Sequence, residues 1–182
     1  MEIIFEGVKL RPWVFSDADQ LAVIANNRNI SDNLRDGFPN PYSVDDANNW
    51  LNTIIPINDP SRYFAIIFDD QLCGSIGITS KEDIYRKNAE IGYFLAEEYW
   101  GRGIITRAIK AATSYAFTRF DIIRIYAEPF SDNQGSRRAL EKAGFNCEAR
   151  FRKNVIKNGI IKDSCIYAVL REEFRYTVPG LK

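Results

Sequence analysis

Between residues 96 and 106 the chain reads AEEYWGRGIIT. Two glycines one residue apart, Gly101 and Gly103, stand directly before an apolar-periodic stretch that begins at Ile104. A backbone of this kind turns tightly and comes close to a ligand. It leaves the first amides of a helix aimed at one point, with the positive end of the helix dipole behind them. Such a point binds phosphate oxygens; Arg102 adds a cation and Thr106 a hydroxyl one turn on. The stretch lacks the Gly-Lys-Ser/Thr of a P-loop and the third glycine of a dinucleotide fingerprint. A tight strand-to-helix turn with no ligand would look similar, so the glycines alone leave both readings open.

The sequence contains no histidine. That removes the side chain that most readily titrates near neutrality and the commonest metal ligand, so no metal site is expected. Acid–base work falls to carboxylates, hydroxyls, amines or water. Cys73, Cys147 and Cys165 have no Cys-x-x-Cys spacing and sit in apolar stretches, which reads as three core thiols. Lys plus Arg and Asp plus Glu number 24 each among 182 residues, so no global field favours nucleic acid or an anionic membrane. No run approaches the roughly 20 apolar residues of a membrane span. The opening MEIIFEGVKLRPW has no secretory cleavage pattern, and a cytoplasmic protein is expected.

The elements that must hold the glycine loop follow from periodicity. A strand is predicted over Ile3 to Leu10, and a helix over Asp17 to Asn27 with Ser16 as its cap. SDNLRDGFPNPYS reads as a long loop. Ser43 caps a second helix through Ala47, Trp50, Leu51 and Ile54, with Asp45 and Asp46 in its first turn. Tyr63 to Phe68 and Leu72 to Ile78 form a hairpin, and a strand over Ala89 to Ala96 leads into the loop. Ile104 to Phe117 carries a helical stripe, followed by a strand at Ile122 to Ala127 and a helix ending at Lys142-Ala143-Gly144. Phe145 to Val155 and Ile161 to Leu170 close the chain around an Asn158-Gly159 turn. The sum is one α/β (α+β) domain over 1–175, a single mixed, largely antiparallel sheet with helices on its faces, and a fraying tail over 176–182.

NAEIGYFLAEEYWGRGIITRAIKAATSYAF, then IIRIYAEPFSDNQGSRRALEKAGF, then a closing strand pair, resembles the GNAT acyl-CoA N-acyltransferases, on the branch of RimJ/RimL-type ribosomal-protein N-terminal acetyltransferases. The resemblance covers nearly the whole chain. It implies the GNAT fold and a direct acetyl transfer from acetyl-CoA to a primary amine. By position, Tyr93, Phe94 and Leu95 would lie along pantetheine, and Gly101, Arg102, Gly103, Ile104, Ile105 and Thr106 would cradle the pyrophosphate. The family writes its loop [QR]-x-x-G-x-[GA]; here Trp100 and Ile105 stand at the ends and only Gly103 is kept, so Ile105 must turn its side chain into the core.

The resemblance also implies that Asn133 lies near the thiol end of the cofactor or orders a water, and that Ser136 is the acid for the departing thiolate. From the residues alone, Asn133 caps a helix and Ser136 is a first-turn residue. By its place five residues before Asn133 the resemblance implies Glu128 as general base through a water, with Glu90 at the start of the pantetheine strand as second choice; from the residues alone either is equally an ordinary surface acid. The family's tyrosine acid would fall at Leu140. A non-catalytic acyl-CoA sensor is the alternative function. Acceptors implied are a peptide N-terminus, an aminoglycoside or a polyamine; from the residues, Asp32, Asp36, Asp45 and Asp46 would attract a cationic amine, while first-turn acids are equally explained by capping. Exposed Phe38 and Tyr42 would support a homodimer.

Overall fold

The computed structural model describes residues 2–178. In chain order its elements are β1 (Ile3–Phe5), β2 (Val8–Pro12), α1 (Ala18–Ala25), α2 (Arg28–Ser31), α3 (Val44–Ile54), β3 (Tyr63–Phe68), β4 (Gln71–Ser80), β5 (Asn88–Leu95), α4 (Ile104–Arg119), β6 (Arg124–Ala127), α5 (Gln134–Lys142), β7 (Asn146–Lys157) and β8 (Ile160–Leu170). The strands form one sheet in the order β1-β2-β3-β4-β5-β6-β8-β7. Every neighbouring pair is antiparallel except β5–β6, which is parallel. This is the mixed sheet the sequence predicts.

Strand alternation separates two cores. Val8, Phe64, Ile76, Ile109, Tyr115 and Tyr167 are buried on the side of α4 and α5. Trp13, Leu21, Leu51 and Ile67 are buried on the side of α1 and α3. Along β4, Ile76 and Ile78 enter the first core while Ser75, Gly77 and Thr79 turn to the other face. Period-2 geometry forces that division, and it leaves the second face partly polar and open. On α4 the alanines at 108, 111, 112 and 116 are fully buried, so small side chains let this helix lie close on the sheet.

Four details depart from the sequence reading. The first strand is a hairpin: Glu6 and Gly7 both take positive φ, 48° and 81°, and fold Ile3–Phe5 back on Val8–Pro12. Ser16 does not cap α1. Asp17 anchors that corner instead, accepting from the Val14 amide at 3.0 Å and from both Arg11 guanidinium nitrogens at 2.7 Å. Arg28–Ser31 forms a short helix capped by Asn27, whose side chain accepts from the Asn29 amide at 2.8 Å. The tail does not fray from residue 176. Val178 is 2% exposed and its amide donates to Ser114 Oγ at 3.2 Å, while Lys110 Nζ lies 3.9 Å from the Tyr176 ring centre. A groove beside α4 supplies the apolar partner that the local sequence does not reveal; residues 179–182 lie outside the described residues.

Elsewhere the local signals hold. Ser43 and Asp46 form a reciprocal capping box on α3. Asn158 and Gly159 both have positive φ, 51° and 76°, as a type I′ hairpin needs. Val178→Asp is expected to destabilise the fold by about 2 kcal/mol, because a carboxylate would replace buried apolar surface. Urea unfolding measures this, and an unchanged midpoint would mean the end of the chain is not docked.

Candidate active site

The chemistry-bearing residues gather where β5 leaves β6. Strand β5 pairs with β4 from Ala89 to Leu95 but with β6 only at Asn88↔Arg124, Ala89↔Ile125 and Glu90↔Tyr126. Beyond Ala127 the chain stays beside β8: Cys165 N donates to Pro129 O at 2.9 Å, and Ser131 N to Asp163 O at 2.8 Å. From Ile91 to Leu95, β5 therefore has no strand neighbour on its β6 side among the described residues. Backbone donors and acceptors in such a place need a partner. Tyr93, Phe94 and Leu95, read from sequence as the pantetheine strand, lie on this unpaired stretch.

The strand runs into the glycine loop. Gly101 and Gly103 have φ of 76° and 73°, and a Cβ built on either would meet no atom within 4 Å. No internal packing therefore requires glycine at these positions. What favours it is the left-handed backbone and the open space above it. After Trp100 the first amide to find a backbone carbonyl is that of Arg107, which donates to Gly103 O at 3.2 Å. The amides of residues 101–106 are thus unclaimed by backbone among the described residues, at the N-terminus of a 16-residue helix. A diphosphate fits this cradle.

Neighbouring side chains brace the cradle. Trp100 Nε1 donates to Leu95 O at 2.8 Å, so the residue in the family's Gln/Arg place ties the loop to the strand end. Arg107 donates to Glu6 O at 2.5 Å and to Arg102 O at 3.2 Å. Arg102 itself is exposed beside the Tyr99 ring. Ile104 is buried and Ile105 packs half-buried against the core, as expected of it. Thr106 is half-buried in the first turn.

The two candidate bases have different surroundings. Glu90 shares the cleft-facing side of β5 with Gly92 and Phe94. Its carboxylate is ion-paired with Arg35, and with Lys81 at 2.7 Å, while Tyr126 Oη lies at 3.4 Å. Glu128 follows β6 directly, at the mouth of the splay. Its Oε1 accepts from Ser164 Oγ at 2.7 Å and from Asn154 Nδ2 at 3.1 Å. Its Oε2 has no protein donor among the described residues.

On the opposite face, Asn133 caps α5 by accepting from the Ser136 amide at 3.0 Å. Ser136 Oγ lies 2.8 Å from the Tyr93 hydroxyl across the splay. Sequence reasoning missed this pair, since 43 residues separate its members and no local pattern links them. Leu140, where the family has tyrosine, is fully buried in the core. Arg137 and Glu141 clamp α5 to β8 through the buried Tyr167. Arg137 Nε donates to its hydroxyl at 3.1 Å, and that hydroxyl donates to Glu141 at 2.8 Å.

A cleft of about 640 Å³ opens on the α1/α3 face of the sheet. Phe38, Tyr42, Trp50, Tyr63 and Phe94 form most of its aromatic wall. The Tyr63 ring lies so close over Gly77 that a Cβ there would come within 2.7 Å of it. Phe38 packs 5.5 Å from Phe94 and 4.9 Å from Tyr42, between ring centres. Tyr42 is only 7% exposed and Phe38 is part-buried. These two aromatics line the cleft instead of forming the exposed dimer surface expected of them.

Acidic residues near the cleft are mostly committed. Ser43 holds the Asp46 carboxyl below the usual carboxylate range through hydrogen bonds from its hydroxyl and amide. Asp36 pairs with Lys157 at 2.9 Å, and Asp32 accepts from Asn158 at 2.8 Å. Among the cysteines, Cys73 and Cys165 are buried but Cys147 is exposed on β7, because that edge strand has little covering it. Burial pushes the Cys73 thiol up to about 12, far from nucleophilic. Among the described residues no group of three or more Cys, Asp or Glu side chains could hold a metal ion, and no helix is long and apolar enough to cross a membrane.

A family model described as "Acetyltransferase (GNAT) domain" matches residues 8–146. The chain is 32% identical to the putative ribosomal N-acetyltransferase YdaF of Bacillus subtilis, over 93% of this chain and 94% of that protein. It is 26% identical to spermidine N(1)-acetyltransferase of Escherichia coli K12, over 96% and 92%. Its fold superposes on Mycobacterium smegmatis RimJ in complex with CoA-disulfide with a TM-score of 0.83, at 23% identity, covering 97% of this chain and 89% of that one. With a splayed strand, a bare-amide glycine loop and these relatives together, the chain belongs to the GNAT acetyltransferase family, on its RimJ/RimL-like branch, and is an acetyl-CoA-dependent N-acetyltransferase.

Proposed function

We propose that the acceptor is the single primary amine at the N-terminus of a protein or peptide, that Glu128 takes its proton through a water, and that Ser136 faces the departing sulfur. One observation carries the reading. Asp32, Asp36 and Glu90 are engaged by Asn158, Lys157, Arg35 and Lys81, Asp46 on the cleft wall spends one oxygen capping α3, and Glu128, fixed by Ser164 and Asn154, keeps its other oxygen open at the mouth of the splay. A polyamine carries several ammonium groups along a flexible chain and would need several unengaged acids. One amine beside an aromatic wall needs only one.

Acetyl-CoA supplies a thioester whose carbonyl carbon the amine attacks. The amides of residues 101–106, with Arg102, hold the diphosphate, and the open edge of Tyr93 to Leu95 pairs with the pantetheine amides. Holding both substrates in one splay replaces a bimolecular encounter with a local one. Glu128, fixed by Ser164 and Asn154, receives the proton that makes the amine nucleophilic. Asn133 acts by fixing the first turn of α5, and so the place of Ser136. Glu90 serves as an anchor for Arg35 and the loop above the cleft, since its oxygens are ion-paired.

Three measurements test this. Gly103→Glu strains a left-handed position and sets a carboxylate against the diphosphate, so acetyl-CoA affinity by calorimetry should fall at least tenfold; full retention would remove the cradle assignment. Glu128→Gln should lower kcat about a hundredfold near neutral pH. The deficit should shrink as pH rises, because free amine accumulates without the base; a constant deficit at all pH values would argue against a base at this position. Thiol release with a panel of N-terminal peptides, spermidine and an aminoglycoside should favour the peptides in kcat/KM, and a clear preference for spermidine would reverse the acceptor assignment.

A further inference from the structure

Tyr93 lies on the α5 side of β5, and its side chain reaches across the splay to the first turn of α5. Its hydroxyl stands 2.8 Å from Ser136 Oγ and 3.5 Å from Ser136 O. One of the two hydroxyls must donate to the other. If serine donated, the phenol hydrogen would be left with only the distant carbonyl; if the phenol donates, its hydrogen is well satisfied and the serine hydrogen is free. Ser136 does not spend that hydrogen inside its helix. Its hydroxyl makes no hydrogen bond to a backbone carbonyl among the described residues, its one partner being the Tyr93 phenol. Burial also pushes the Tyr93 phenol up, which keeps it protonated and a donor.

We infer that Tyr93 is a positioning residue: its phenol donates to Ser136 Oγ and so directs the serine's own hydrogen into the splay, toward the sulfur of bound CoA. The inference rests on the proposed role of Ser136 and extends it to a second residue. During transfer Ser136 hydrogen-bonds to the sulfur that keeps the electron pair of the broken C–S bond. Glu128 takes the proton the amine loses, and Tyr93 keeps its own proton throughout. No oxidant or further reactant is required. Tyr93 thus has two uses: its backbone lies on the open edge, and its hydroxyl sets the direction of a donor one element away.

The test is the acidity of the thiol of CoA bound to the full chain, read from ultraviolet thiolate absorbance against pH, beside steady-state kinetics. A hydrogen bond to a charged acceptor is worth enough that Tyr93→Phe should lower the acid dissociation constant of the bound thiol about tenfold, and kcat by a similar factor, with the KM for acetyl-CoA within about twofold. Ser136→Ala should do the same, and the double variant should be no worse than Ser136→Ala alone. A phenylalanine that only loosened packing would lower the melting temperature and leave the bound thiol's titration unmoved, which would overturn the role of Tyr93. Ser136→Ala shifting the titration while Tyr93→Phe does not would overturn the coupling. If neither variant shifts it while the parent chain still acetylates an amine, the Ser136 assignment fails and the transferase activity stands.

Discussion

The site depends on one unmet backbone requirement. Strand β5 is held by β4 along seven residues and by β6 along only three, because β6 and the chain after it stay with β8. The two halves of the sheet thus part at Glu90 and Tyr126. Amides and carbonyls that would complete a ladder are left facing a gap, and a ligand with its own amides can complete it. A closed eight-stranded ladder would be a more uniform sheet with no open edge on β5.

The residues flanking that gap are sorted by strand parity. Glu90, Gly92 and Phe94 face the aromatic cleft, while Ile91, Tyr93 and Leu95 face α4 and α5. The two faces of one strand thus present different chemistry, an aromatic cleft on one side and the first turn of α5 on the other. Glu128 stands at the mouth on one side, and the Tyr93–Ser136 hydroxyl pair on the other. The Arg137–Tyr167–Glu141 cluster holds α5 against β8, so the first turn of α5 keeps its distance from β5.

The loop over the cleft is held by polar contacts at its rim and aromatic packing within. Arg35 reaches Glu90, Asp36 reaches Lys157 and Asp32 reaches Asn158, so one irregular segment is fastened to β5 and to the hairpin tip of β7 and β8. Phe38, from the same segment, packs on Phe94. These contacts engage Asp32, Asp36 and Glu90, and the same segment carries the two aromatics expected at a dimer surface into the cleft wall.

Local chemistry made much of this legible. The Gly101/Gly103 pair before a helical stripe marked a tight loop at a helix start; the Ser43/Asp46 box and the Asn158-Gly159 turn marked their elements, because caps and turns are decided within a few residues. The order of strand and helix signals implied a single mixed sheet, and the GNAT resemblance implied the same fold. What the sequence could not reveal was decided by contacts between distant segments: the Tyr93–Ser136 pair, the ion pairs that occupy Glu90, the docking of Val178 and the exposure of Cys147. Each depends on which strand ends up beside which, and strand pairing is a choice among surfaces far apart in the chain, so no local pattern of residues records it.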